Sequence, residues 1–208
     1  MADPTADRPA ADVVVSYLTL RRVVGVLGMA LPVVLAVWGF VLQRRVAVLS
    51  SLSDYYQLRT RDALVGILFT IAWFLYTYRG YSRTDDVAGN GACVCALGVA
   101  LSPASGSPLE HAMHYACAAG LFLILAFFSL FLFTKTGGSP TRAKLARNRV
   151  YRVCGVVMLA SIGAIAAVQA FAPGSPAPAV PPVFALETIA LWAFGVSWFI
   201  KGETLLKD

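Results

Sequence analysis

Charge is scarce in this chain. Of its 208 residues, 13% are Asp, Glu, Lys or Arg and 58% are hydrophobic, whereas about a quarter of a soluble domain is charged. That balance excludes an ordinary cytosolic domain, and a disordered chain as well. Familiar catalytic signatures are also missing. There is no glycine-rich phosphate loop, no G-x-S-x-G elbow and no D-D-x-x-D run, so nucleotide-dependent enzymes, α/β-hydrolases and Asp-rich prenyltransferases find no support. Histidine occurs twice, at His111 and His114. Cys93 and Cys95 form C-x-C, not the C-x-x-C of thiol exchange. With Cys117 and Cys154 they fall within apolar runs and read as small packing residues.

Long apolar runs fill the rest. Mean hydropathy is +0.71, and a membrane-crossing helix needs about 20 apolar residues. Six runs qualify: 23–43, 62–78, 87–102, 111–134, 150–171 and 183–200. The expected fold is therefore all-α, a polytopic integral membrane bundle of about six transmembrane helices. A disordered tail is expected over 1–12 and a single transmembrane domain over 13–208. Residues 13–20 either lie at the membrane interface or lengthen the first helix. No cleavage site follows the first run, so it reads as a retained insertion signal. Pro32 falls inside it, where neighbouring helices must cover the carbonyl that proline frees.

Orientation follows from the basic residues. Net charge is +6, from 17 Lys and Arg against 11 Asp and Glu. These residues fall between apolar runs, which favours membrane topology over nucleic acid. Thirteen of the 17 lie on one side of the expected membrane, and Arg44, Arg45, Arg59 and Arg61 lie on the other. Positive loops stay in the cytoplasm, so both termini are expected inside, in a multi-pass protein of the inner or plasma membrane. The basic stretch 135–152 invites an anionic-lipid or phosphate site, but it reads first as a topology determinant. Asp85 and Asp86, with Arg79 and Arg83, read as a solvated turn.

The outer face carries the functional signal. His111, His114, Asp54, Asp62, Glu110 and Glu187 all belong to it, along with Ser50, Ser53, Tyr55, Tyr56, Arg59 and Arg61. Short loops should bring these groups together, and ionisable groups at a membrane boundary are costly unless paired or useful. On a helix His111 and His114 share a face, so a divalent metal such as zinc could take both imidazoles and a carboxylate from another helix. The plainer reading puts Glu110 at a helix start, with the histidines bonding loop carbonyls. Glu187 lies more than a turn past Pro181 and Pro182, which mark a helix start. A carboxylate that deep must be paired, protonated or beside a wet cavity.

These residues predict a membrane-embedded enzyme acting on a lipid-like or isoprenoid substrate, as a hydrolase, cyclase or isomerase. Glu187, Asp54, His114 and His111 are its expected acid–base or metal groups. Arg59 and Arg61 would hold an anionic group, and Tyr55, Tyr56 and Trp192 would line an apolar channel. The expected partners are membrane lipids and a small lipophilic substrate. Two other classes stand beside this one. A non-catalytic subunit or scaffold would use the same cluster to lock loops together. A small transporter or channel would draw on Pro32 and the Gly25/Gly28 and Gly89/Gly91 pairs, though no ionisable residue is expected near a span's midplane, where transport sites usually lie.

Overall fold

The computed structural model describes residues 10–44, 47–136, 138–171 and 180–203. Six α-helices account for most of them: α1 (Ala10–Gln43), α2 (Arg61–Thr77), α3 (Arg83–Leu101), α4 (Pro108–Phe127), α5 (Arg142–Phe171) and α6 (Pro182–Lys201). A 3₁₀ turn, Ser53–Gln57, lies between α1 and α2, and α4 runs on through a π-helical turn, Phe128–Leu132. There is no strand among the described residues. α1, α4 with its π-turn, α5 and α6 are long and apolar enough to cross a membrane. α2 has 17 residues, and the first half of α3 carries Arg83, Asp85, Asp86 and Asn90.

All six helices begin before their apolar runs, α1 and α5 by the widest margins. α1 starts at Ala10, inside the stretch expected to be a disordered tail; residues 1–9 of that tail lie outside the described residues. Arg21 and Arg22 do not interrupt the helix, because both turn toward the end of α6: Arg22 Nε donates to the Gly202 carbonyl at 2.8 Å. α5 likewise takes in the basic residues from Arg142 onward, since Lys and Arg are good helix formers.

Each helix packs on the next, and α6 packs on α1, so the six close into a ring. The α1–α6 contact is the tightest because glycines meet there. A Cβ on Gly25 would fall 2.6 Å from the Gly195 carbonyl oxygen and from Phe199 N. In an apolar solvent such close approach, through dispersion, is what holds helices together. Pro32 sits within α1, and the Trp192 indole donates to the Met29 carbonyl at 3.1 Å, in the turn that proline loosens.

The ring interior is filled by Leu35, Leu68, Leu75, Ala92, Leu125 and Phe194. Towards the basic end it becomes aromatic. Trp198 packs edge-on to Tyr78, Phe128 and Phe133 with ring centroids 5.2, 5.6 and 5.3 Å away, a geometry that matches ring quadrupoles. Ser129 on the π-turn donates to Ser197 on α6 at 2.9 Å, which satisfies a buried hydroxyl in the core.

Candidate functional site

The site is built on the segment between α1 and α2. Ser51 and Asp54 bond each other reciprocally: the Asp54 carboxylate accepts from Ser51 N–H at 3.1 Å, and Ser51 Oγ accepts from Asp54 N–H at 3.2 Å. This is the arrangement of a capping box, and it starts the 3₁₀ turn that presents Ser53. Two further bonds fasten the segment to α6. Phe184 N–H donates to the Ser50 carbonyl at 3.1 Å, and Leu52 N–H donates to Glu187 Oε2. Leu52 is buried, so its amide needs an acceptor, and Glu187 supplies one.

α4 contributes His114. Its start is set by Ser107 and Glu110, which form a second capping box with Pro108 in the first turn. His114 is 3% exposed and uses both ring nitrogens. Nδ1 lies 2.7 Å from the Ser102 carbonyl and Nε2 lies 2.8 Å from Ser53 Oγ. A carbonyl only accepts, so Nδ1 carries the proton. In the neutral ring Nε2 is then the bare acceptor, and Ser53 donates its hydroxyl hydrogen to it. A hydroxyl bonded to the basic nitrogen of an imidazole that a third group orients is the geometry of an activated nucleophile.

Ser53, Asp54, His114 and Glu187 share a cavity of about 480 Å³. Its other wall is apolar, made by Ala118, Ala119 and Phe122 of α4 with Ile162, Ile165 and Ala166 of α5. Ser50, Ser51, Tyr115, Gln169 and Val183 complete the lining. The cavity thus has a hydroxyl–imidazole end and a hydrocarbon side, the division expected for an amphipathic ligand.

Three of the four residues expected to do acid–base work therefore meet: Glu187, Asp54 and His114. His111 does not join them. It is exposed, and its Nδ1 lies 2.6 Å from the Ala104 carbonyl, with Tyr115 packed against both imidazoles. No group of three or more His, Cys, Asp or Glu among the described residues is placed to hold a metal ion. Both His114 nitrogens already have protein partners, and the two histidines point to different carbonyls. The donor set does not fit a zinc site of the kind the spacing suggested.

The expected substrate-binding residues also lie elsewhere. Tyr55 is 1% exposed and its hydroxyl accepts from Leu49 N–H at 3.4 Å, so it is a core residue under the loop. Arg61 donates to the Tyr56 hydroxyl at 3.2 Å and lies 4.6 Å from that ring's centre, a self-contained surface pair. Arg59 is exposed, and Trp192 serves the α1 backbone. The apolar lining comes instead from α4 and α5. Ser53 was one hydroxyl in a serine-rich stretch, and only its partner His114, 61 residues along the chain, singles it out.

At the opposite end Asp85 corrects a second expectation. Rather than sitting in a solvated turn, it is fully buried, caps α3 with Ser82 and pairs with Lys135 at 2.9 Å. It precedes the apolar part of α3. Burial works to raise its carboxyl, but the hydrogen bonds from Ser82 and Lys135 outweigh this and hold it below the ordinary aspartate value.

No protein-family model, curated protein or solved structure matches the chain.

Proposed function

We propose that the chain is a membrane-embedded hydrolase of lipid-like esters or amides, with Ser53 as nucleophile and His114 as its base. The observation that carries this reading is the 2.8 Å contact between Ser53 Oγ and His114 Nε2, in a cavity with a hydrocarbon wall. Ser53 Oγ attacks the substrate carbonyl carbon while Nε2 takes its proton. The imidazolium then returns that proton to the departing alcohol or amine as its bond to the carbonyl carbon breaks. Water, deprotonated by the same nitrogen, releases the acyl group from Ser53. The Ser102 carbonyl keeps the ring in the required tautomer. Glu187 and Asp54 position the loop. Isoprenoid cyclisation has less to rest on, because both carboxylates are engaged with backbone hydrogens of the loop.

The same reading has all six helices crossing the bilayer, with the end bearing Arg21, Lys135 and Lys201 in the cytoplasm. The ring supports this, since α2 and α3 fill the places between α1 and α4. Both also present Trp73, Tyr76, Val94 and Leu101 outward. Each apolar group is suited to lipid.

The test is labelling by a fluorophosphonate, which reacts with activated serines, on full-length protein in detergent. Wild type is expected to label, Ser53→Ala not at all, and His114→Ala only marginally. No labelling, or labelling untouched by Ser53→Ala, overturns the hydrolase. The bonds from Ser51, Asp54 and Glu187 would then favour the second reading: a non-catalytic subunit whose polar cluster clasps a loop to α6.

A further inference from the structure

A second cavity, of about 570 Å³, lies at the other end of the ring, some 21 Å along α6 if measured from Glu187 to Lys201 at the helical rise. Arg21, Lys135, Lys144, Arg147 and Lys201 line it, with Glu203 as the acid among them. Tyr81, Tyr151 and Ser139 add hydroxyls.

Membrane orientation explains why Lys and Arg gather at this end, but orientation is read from charges in loops and does not require them to be buried. Here they are. Arg21 is 6% exposed and Lys201 9% exposed. Burying a cation costs several kcal/mol unless something compensates it, and protein groups compensate these two only in part. The Arg21 Nε has no partner, and its Nη1 reaches the Lys201 carbonyl only at 3.5 Å. Its guanidinium lies 4.3 Å from the centre of the Tyr17 ring. The Lys201 ammonium faces the rings of Phe133 and Tyr81 at 5.2 and 5.5 Å. Neither has a carboxylate within ion-pair distance among the described residues. Lys135, by contrast, is neutralised by Asp85.

We propose that this cavity binds a phosphate group carrying two or more negative charges. An arginine fork beside lysines and hydroxyls is the donor set that recognises phosphate oxygens. The aromatic floor lowers the local dielectric and strengthens each contact. Two sources present this chemistry: a phospholipid whose headgroup is a phosphate monoester, as in phosphatidic acid, and a soluble phosphate or diphosphate.

The test measures the thermal midpoint of the full-length protein in neutral detergent. Inorganic phosphate, pyrophosphate and dioctanoyl phosphatidic acid are titrated separately, with ionic strength matched by sodium chloride. At least one is expected to raise the midpoint saturably. Arg21→Gln and Lys201→Gln should each weaken that response about tenfold, the scale of one charge-assisted bond. Arg152→Gln, exposed and outside the cavity, should leave it unchanged. Should either buried variant fail to fold, Lys144→Gln at the half-buried rim must show the same weakening. A response to phosphatidic acid alone assigns a lipid headgroup, and a response to phosphate or pyrophosphate assigns a soluble ligand. No response to any of the three overturns the site, as does equal weakening by Arg152→Gln.

Discussion

Replacing Glu187 separates positioning from chemistry. Its carboxylate accepts the buried Leu52 amide, one residue before Ser53. In Glu187→Ala that amide loses its acceptor, which costs about 1–3 kcal/mol. In a chain of this size each kcal/mol moves the midpoint by about 2–4 °C, so a loss near the middle of the range lowers it by about 4–8 °C. Glu187→Gln keeps a carbonyl acceptor for that amide. Its midpoint should therefore fall less than that of Glu187→Ala. The assay is thermal unfolding in detergent, run beside the rate of fluorophosphonate labelling at Ser53. Labelling should follow stability, low in the alanine variant and largely kept in the glutamine variant. If Glu187→Gln abolishes labelling while its midpoint stays at the wild-type value, Glu187 acts in the chemistry and the positioning argument is refuted.

Three further outcomes are expected. Asp85→Asn should cost about 1–3 kcal/mol at neutral pH by weakening the Ser82 and Lys135 contacts. Because the Asp85 carboxyl is held below its ordinary value, its contribution is complete above about pH 4, the unfolded value, and is lost as pH falls through the folded value. Acid titration of stability should thus show a steeper loss below pH 4 in wild type than in Asp85→Asn. Gly195→Val should destabilise by about 1–3 kcal/mol, since even a Cβ there would lie 2.5 Å from Met29 Cγ and 2.6 Å from the Gly25 carbonyl oxygen; a normal midpoint would contradict the close α1–α6 approach. Ala118→Phe, in the apolar wall of the Ser53 cavity, should slow labelling by a long-chain fluorophosphonate more than by a short-chain one, and equal slowing would deny the wall a role in binding chains.

Helix positions were legible where apolarity and helix limits coincide. The runs 62–78 and 183–200 match α2 and α6 to within a residue or so at each end. Residues 13–20 do lengthen α1, one of the two readings the sequence left open, whereas the start of α5 lies outside its apolar run because charge marks where such a run stops and a helix can continue past it. Convergence of Glu187, Asp54 and His114 could be read from the expected side of the membrane on which each residue falls. Ser53 could not, because its distinction lies in one contact across the fold and no local pattern records that. The same holds for Asp85. Arg79 and Arg83 stand nearby in sequence, yet its ion-pair partner is Lys135, 50 residues away. Trp192 illustrates the reverse case: an aromatic residue expected at the substrate answers a carbonyl in the turn loosened by Pro32.

The α1–α6 seam also sets an order of assembly. Gly25 on α1 meets Gly195 on α6, and the intervening chain takes on the order of ten seconds or more to synthesise. Throughout that interval α1 is without its main neighbour. The consecutive pairs α2–α3 and α3–α4 can form meanwhile from short-range contacts, but the ring stays open until the final helix arrives. That helix brings Glu187 to one cavity and Lys201 to the other. A chain stopped before α6 would therefore leave a partial bundle with its glycine groove bare and neither polar chamber finished.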